Sequence, residues 1–180
     1  MPRLAAAATL ALCLVGCGVP ALFGPTPVTV DPNRPVLLGS PVIDGIPCQK
    51  ETLLFHTHAH LSLLIRGHDV TIPAGIGIRQ RNNCVYWLHT HYPDGVIHME
   101  APRAMPHARL GTFFDIWRRP LSRSAVWRYP TTGRRSLRVY LNGKPYRGNP
   151  RSVPLFRHAV VVLEIGPPFT SPPGYDFGAQ

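Results

Sequence analysis

Leu53-Leu54-Phe55-His56-Thr57-His58-Ala59-His60-Leu61-Ser62-Leu63-Leu64-Ile65 alternates almost without a break. Phe55, Ala59, Leu61 and Leu63 fall at one parity, and His56, His58, His60 and Ser62 at the other. Side chains two apart on a β-strand point to the same side, so this period of two predicts a half-buried strand with an apolar face and a histidine face. Arg66-Gly67-His68-Asp69 then reads as a turn into a short partner, Val70 to Ile72, and Pro73-Ala74-Gly75-Ile76-Gly77 as a loop too glycine-rich for a helix.

Val85 to Tyr92 has the same character, and Pro93-Asp94-Gly95 supplies hairpin chemistry before a third strand, Val96 to Ala101. Two registers are open: a Tyr92-to-Gly95 loop sets His89 against His98, whereas an Asp94-Gly95 loop sets His91 against His98 and His89 against Glu100. In both, His89, His91, His98 and Glu100 share one face, and Tyr86, Leu88, Ile97 and Met99 form a core set on the other. Leu110, Phe113, Phe114 and Trp117 recur at helical spacing, which predicts one short helix ending before Pro120. Leu137 to Leu141, an Asn142-Gly143 turn and Ala159 to Ile165 complete the strand set. The expected class is α+β, mainly β: a single domain of antiparallel sheet with one short helix.

Nine histidines are present, and six stand in these strands. Imidazole is the commonest protein ligand for transition metals, so the candidate metal ligands are His56, His58, His60, His89, His91, His98 and Glu100. By a rise of about 3.3 Å per residue, His56 and His60 stand roughly 13 Å apart, so one ion cannot take all three histidines of the first strand. Either one ion combines part of that strand with the hairpin, or two ions share the face, or one histidine supports the others from behind. Glu100 is a fourth ligand, a general base, or the carboxylate that orients an imidazole. Calcium and magnesium want several carboxylates, and the chain has nine acids in all, so copper or zinc is the expected ion. A pH-responsive imidazole cluster without metal is the competing reading, and His68, His107 and His158 are read as ordinary structural histidines.

The ends bear on location. Arg3 precedes an apolar run from Leu4 to Val15, the length of a signal-peptide core, and Leu14-Val15-Gly16-Cys17 is similar to the lipobox of bacterial lipoproteins. Residues 1–16 are thus expected to be a lipoprotein-type signal and Cys17 a lipid anchor, with ordinary cleavage or an uncleaved anchor from Leu4 to Phe23 as alternatives. Pro20, Pro25, Pro27, Pro32, Pro35, Pro41 and Pro47 suggest that 17–47 is an extended tether. The domain then spans 48–166, and 167–180 is a loose tail. With Cys13 and Cys17 set aside, Cys48 and Cys84 are expected either to pair in an oxidising compartment or to act as thiolate ligands. The net charge of +10 rests on seventeen Arg against two Lys. In an exported protein that charge implies a solvated basic surface or anionic lipid, not nucleic acid.

His58-Ala59-His60-Leu61, Tyr86-Trp87-Leu88-His89-Thr90-His91, Gly95-Val96-Ile97-His98-Met99-Glu100, Phe113-Phe114-Asp115-Ile116-Trp117 and Tyr140-Leu141-Asn142-Gly143-Lys144 together resemble an uncharacterised family of exported, often membrane-anchored bacterial and archaeal proteins. Pro150-Arg151 and Pro154-Leu155 before His158 are similar to that family's C-terminal pattern, which implies a place for His158 near the site. In spacing alone, the hairpin histidines are similar to the three-histidine zinc site of α-carbonic anhydrases; fold and function do not follow from spacing. The expected function is an exported, membrane-tethered protein that binds copper or zinc for capture, storage or delivery, with a metal donor or acceptor protein as partner. The alternatives are a metal-dependent enzyme working beside Glu100 and a cell-envelope interaction module with pH-responsive histidines.

Overall fold

The computed structural model describes residues 24–178, apart from 53 and 103–107. The residues expected to form the signal and the lipid anchor, including Cys13 and Cys17, lie outside the described residues, as do Met105 and His107. The elements in order are β1 (Phe55–Ile65), β2 (His68–Val70), β3 (Ile78–Arg79), β4 (Cys84–Val85), β5 (Leu88–His89), β6 (Val96–Ala101), α1 (Leu110–Trp117), β7 (Ala125–Val126), β8 (Tyr129–Pro130), β9 (Ser136–Leu141), β10 (Lys144–Pro145), a 3-10 turn at Pro150–Ser152, and β11 (Val160–Gly166). The architecture is mainly β with one α-helix among the described residues, as the period-two stretches and the single helical stripe predict. No helix among the described residues is long and apolar enough to cross a membrane.

One sheet dominates, in the order β10-β9-β11-β1-β6-β5, with β2 also paired to β1. β1 is its hub. Its first half pairs antiparallel with β6, from Phe55 opposite Ala101 to His60 opposite Val96. Its second half pairs with β2 on that same edge and with β11 on the other, from His60 opposite Val160 to Ile65 opposite Ile165. The β1–β11 pair is parallel, so the sheet is mixed and not wholly antiparallel. A strand that returns after a long excursion is not bound to the antiparallel direction that a tight hairpin imposes.

Ala59, Leu61, Leu63, Leu88, Ile97, Met99, Val161, Leu163 and Ile165 make the inner face, fully buried with Leu110, Phe113, Phe114 and Ile116 of α1. The helix ends at Arg118 in a left-handed conformation, whose N–H donates to Asp115 and Phe114 carbonyl oxygens. Asp115 forms an ion pair with Arg151, the middle residue of the 3-10 turn that packs on α1. Met99 thus points into the core, away from the histidines.

Two segments differ from expectation. The proline-rich stretch is not a free tether from Val28 onward: the Val28 N–H donates to the His91 carbonyl at 2.9 Å, Leu37 N–H to Asn82, and the Tyr86 hydroxyl to the Pro41 carbonyl, while Ile46 is buried. A segment without periodicity still carries N–H and C=O groups that can pair, which composition does not reveal. Nor is the C-terminal segment loose. Thr170 donates its N–H and hydroxyl to Glu164, Arg138 lies over the Phe169 ring at 3.7 Å, Tyr175 stacks on His60, and Phe177 is buried against His158. The tail therefore lies across the polar face of the sheet.

Cys48 and Cys84 form a disulfide, 36 residues apart in sequence, which removes them as thiolate ligands. Closing a loop of that length stabilises the fold by about 3–4 kcal/mol. Replacing both cysteines by serine is expected to lower Tm by roughly 10 °C, read by thermal melts against the oxidised protein.

Candidate metal centre

The hairpin adopts the longer-loop register, with His89 opposite His98. His58 is opposite His98 on the far side, so His58, His98 and His89 form one row across β1, β6 and β5. His56 stands opposite Glu100 in the next row of that polar face. At the turn, Gly95 has φ +81° and packs so closely on β1 that a Cβ there would lie 2.4 Å from the Leu61 carbonyl oxygen. Only glycine lets the hairpin sit this close to the histidine strand.

The ring nitrogens of the hairpin pair are sorted by the backbone. His89 Nδ1 lies 2.9 Å from the Tyr86 carbonyl oxygen, and His91 Nδ1 lies 2.7 Å from that of Val28. A carbonyl oxygen only accepts, so both Nδ1 atoms carry the hydrogen and, in the neutral rings, both Nε2 atoms present lone pairs. Those Nε2 atoms are 3.1 Å apart. Two lone pairs at that distance repel unless a cation lies between them. Two ligands on a tetrahedral ion with bonds of about 2.0–2.1 Å are separated by roughly 3.3 Å, close to what the pair already shows. Backbone carbonyls holding Nδ1–H are also the usual supports of metal-binding imidazoles.

Glu100 completes this corner. Its side chain is 4% exposed, with Oε1 3.2 Å from His56 Nε2 and 3.3 Å from His98 Nδ1. Oε2 is buried without a hydrogen-bond partner among the described residues, 3.8 Å from His89 Nε2. Burial alone raises the carboxyl of Glu100, but the His98 hydrogen bond and the charges of His89, His56 and His98 outweigh it and hold it below the usual range. An ionised carboxylate with an orphaned buried oxygen beside unprotonated imidazole nitrogens is a donor set that fits a metal ion. His89, His91, His98 and Glu100 offer ligand atoms all within 4.8 Å of one another, and so do His56, His58 and His98; both groups can hold a metal ion.

Burial tunes the rings. It pushes His89 down to about 3 and His58 to about 4, with neighbouring histidines adding to the shift in both and Glu100 opposing it. At neutral pH these two rings are uncharged and free to coordinate.

His60 stands apart from both groups. Its Nε2–H donates to the Asp94 carbonyl oxygen at 3.0 Å, and its ring stacks on Tyr175 at 3.8 Å. The nitrogen it would offer a metal is already committed, and burial lowers its pKa. His158 stacks on Phe177, and its N–H donates to the His58 carbonyl oxygen. With His56, His58, His98, Tyr92 and Arg157 it lines a cleft of about 540 Å³. His68 is exposed on β2.

Compared with protein-family models, curated proteins and solved structures, the chain matches none. The site's own geometry is therefore what bears on function.

Sequence reasoning misses Glu51. Its Oε1 lies 3.6 Å from His91 Nε2 and 3.8 Å from His89 Nε2, and its carboxyl is raised by burial and then by the charge of Glu100. The available signal is its rarity: one of nine acids, three residues from a disulfide cysteine and just before the histidine strand.

Proposed function

We propose that the chain is an exported, membrane-tethered protein that binds copper or zinc on its histidine face, for capture, storage or delivery to a partner protein. The observation that carries the metal reading is the His89–His91 pair, with both Nδ1–H groups bound to backbone carbonyls and both Nε2 atoms facing each other at 3.1 Å. Imidazole nitrogens with one or two carboxylates suit copper and zinc and suit calcium or magnesium poorly. The apolar run Leu4 to Val15 and the Leu14-to-Cys17 motif support export and lipidation at Cys17, and the Cys48–Cys84 disulfide supports an oxidising compartment.

Calorimetric titration of the chelator-stripped chain, without a polyhistidine tag, tests the metal reading. At least one equivalent of Zn²⁺ or Cu²⁺ is expected to bind with sub-micromolar Kd; the absence of binding for both ions overturns it. His91→Ala is expected to weaken binding by roughly 100-fold or more, and His60→Ala to leave it unchanged.

One observation favours a second reading, metal-dependent catalysis. The cleft bordered by His56, His58 and His98 gives a small molecule a place beside the ligands. Bound metal would supply Lewis acidity there, and Arg157 and His158, which also line the cleft, would supply charge and a proton-transferring group.

A further inference from the structure

We infer that the histidine face is a dinuclear centre: two metal ions with Glu100 between them, one held by His56 and His58, the other by His89, His91 and Glu51. This rests on the metal reading above and deepens it to stoichiometry and bridging.

The side chains are arranged as two matched halves about His98. The His56 and His58 rings meet at 78° with their Nε2 atoms 3.0 Å apart; the His89 and His91 rings meet at 88° with theirs 3.1 Å apart. The His98 ring stands perpendicular to His58 and to His91, each at 4.5 Å between centroids. It is close to parallel with His56 and with His89, at 5.9 and 5.4 Å. Each pair has its ligand nitrogens at about the separation that one ion imposes on two neighbouring ligands. The two ligand groups have only His98 in common.

Donor number points the same way. Five imidazoles and two carboxylates converge on this patch, whereas zinc takes about four ligands in a closed site. Glu100 divides itself between the halves: Oε1 is 3.2 Å from His56 Nε2, and Oε2, which has no hydrogen-bond partner among the described residues, is 3.8 Å from His89 Nε2. One oxygen to each side is what a bridging carboxylate requires. Glu51 Oε1, within 3.8 Å of both His89 and His91 Nε2, serves the second half alone.

The halves are unequal in access. His56 is 40% exposed and borders the cleft, whereas His89 is fully buried and His91 is 13% exposed. The inner ion is held in the protein, and the outer ion is the exchangeable one.

Equilibrium dialysis of the full chain against Cu²⁺ and, separately, Zn²⁺, with metal counted by mass spectrometry, gives the stoichiometry. Two equivalents are expected for the native chain and one for His56→Ala/His58→Ala, a change at the half that borders the cleft. For the copper-loaded native chain, the integrated electron paramagnetic resonance signal is expected to account for all the copper at one equivalent and for markedly less at two, because the bridged ions couple. The variant's single copper should give its full signal. One equivalent in the native chain that the double substitution abolishes means a single centre; it overturns the dinuclear inference and leaves the metal reading standing. Two equivalents with full signal overturn the bridge. No binding at all overturns both readings.

Discussion

Glu100→Gln is expected to weaken metal binding by roughly 100-fold while lowering Tm of the metal-free protein by only a few degrees. The native carboxylate is buried among imidazoles, and its Oε2 has no partner among the described residues. An orphaned polar atom costs about 1–3 kcal/mol, but the His98 hydrogen bond and the neighbouring imidazoles, which hold the Glu100 pKa down, more than offset the burial of its charge. Glutamine keeps an acceptor for His98 and His56 and sets an amide N–H toward the lone pair on His89 Nε2. The metal-free fold exchanges charge-assisted hydrogen bonds for neutral ones, and the metal loses an anionic ligand. Thermal melts in chelator and a calorimetric titration read the two effects. A large fall in Tm with unchanged affinity would mark Glu100 as a structural residue and remove the main argument for a bridge.

The second large effect is in acid. His58 and His89 have their pKa lowered from 6.5 to about 4 and about 3 in the folded chain. Below 6.5 the unfolded chain takes up protons on both imidazoles, while the fold excludes them until those lower values are reached. Stability therefore rises with pH across this window: it is fully present above 6.5 and is lost as pH falls toward 4 and 3. The slope approaches about 1.4 kcal/mol per pH unit for each ring. Against a typical total of about 5–15 kcal/mol, the metal-free protein is expected to unfold between roughly pH 5 and 4. Metal that binds only the fold adds stability by mass action, so the loaded protein should unfold at lower pH than the stripped one. Circular dichroism followed from pH 7 to 3, with and without chelator, checks this; coincident transitions would contradict it.

What the sequence discloses about this molecule follows the range of the signal. Period-two alternation over Phe55 to Ile65 shows that His56, His58 and His60 share a face, and hairpin parity does the same for His89, His91, His98 and Glu100. The apolar spacing from Leu110 to Trp117 matches the helix end to end. These are local properties. His60 lies on the same face as its neighbours but is taken out of the ligand groups by the Asp94 carbonyl and by Tyr175, one across the hairpin and one more than a hundred residues away. Glu51 enters the cluster from a segment with no period of its own, and Val28 sets the tautomer of His91 from a stretch that reads as linker. Parallel pairing of β1 with β11 has no local marker either. Contacts made through backbone groups, or between distant segments, leave no trace in residue spacing.

That parallel pair also divides the molecule by order of assembly. Glu51 and every histidine of the cluster lie within one continuous stretch ending at Glu100, whose strands meet through nearby chain. The other edge of β1 waits for β11, with Val160 opposite a residue about a hundred positions earlier. Contacts across such a separation close slowly, because the loop entropy must be spent before the pairing rewards it. Until then the hub strand of the sheet has a bare hydrogen-bonding edge over its most apolar end, Leu61 to Ile65, the kind of edge to which a second chain can add. The late return of the C-terminal strand is thus the step in which the chain is most open to pairing with its own copies.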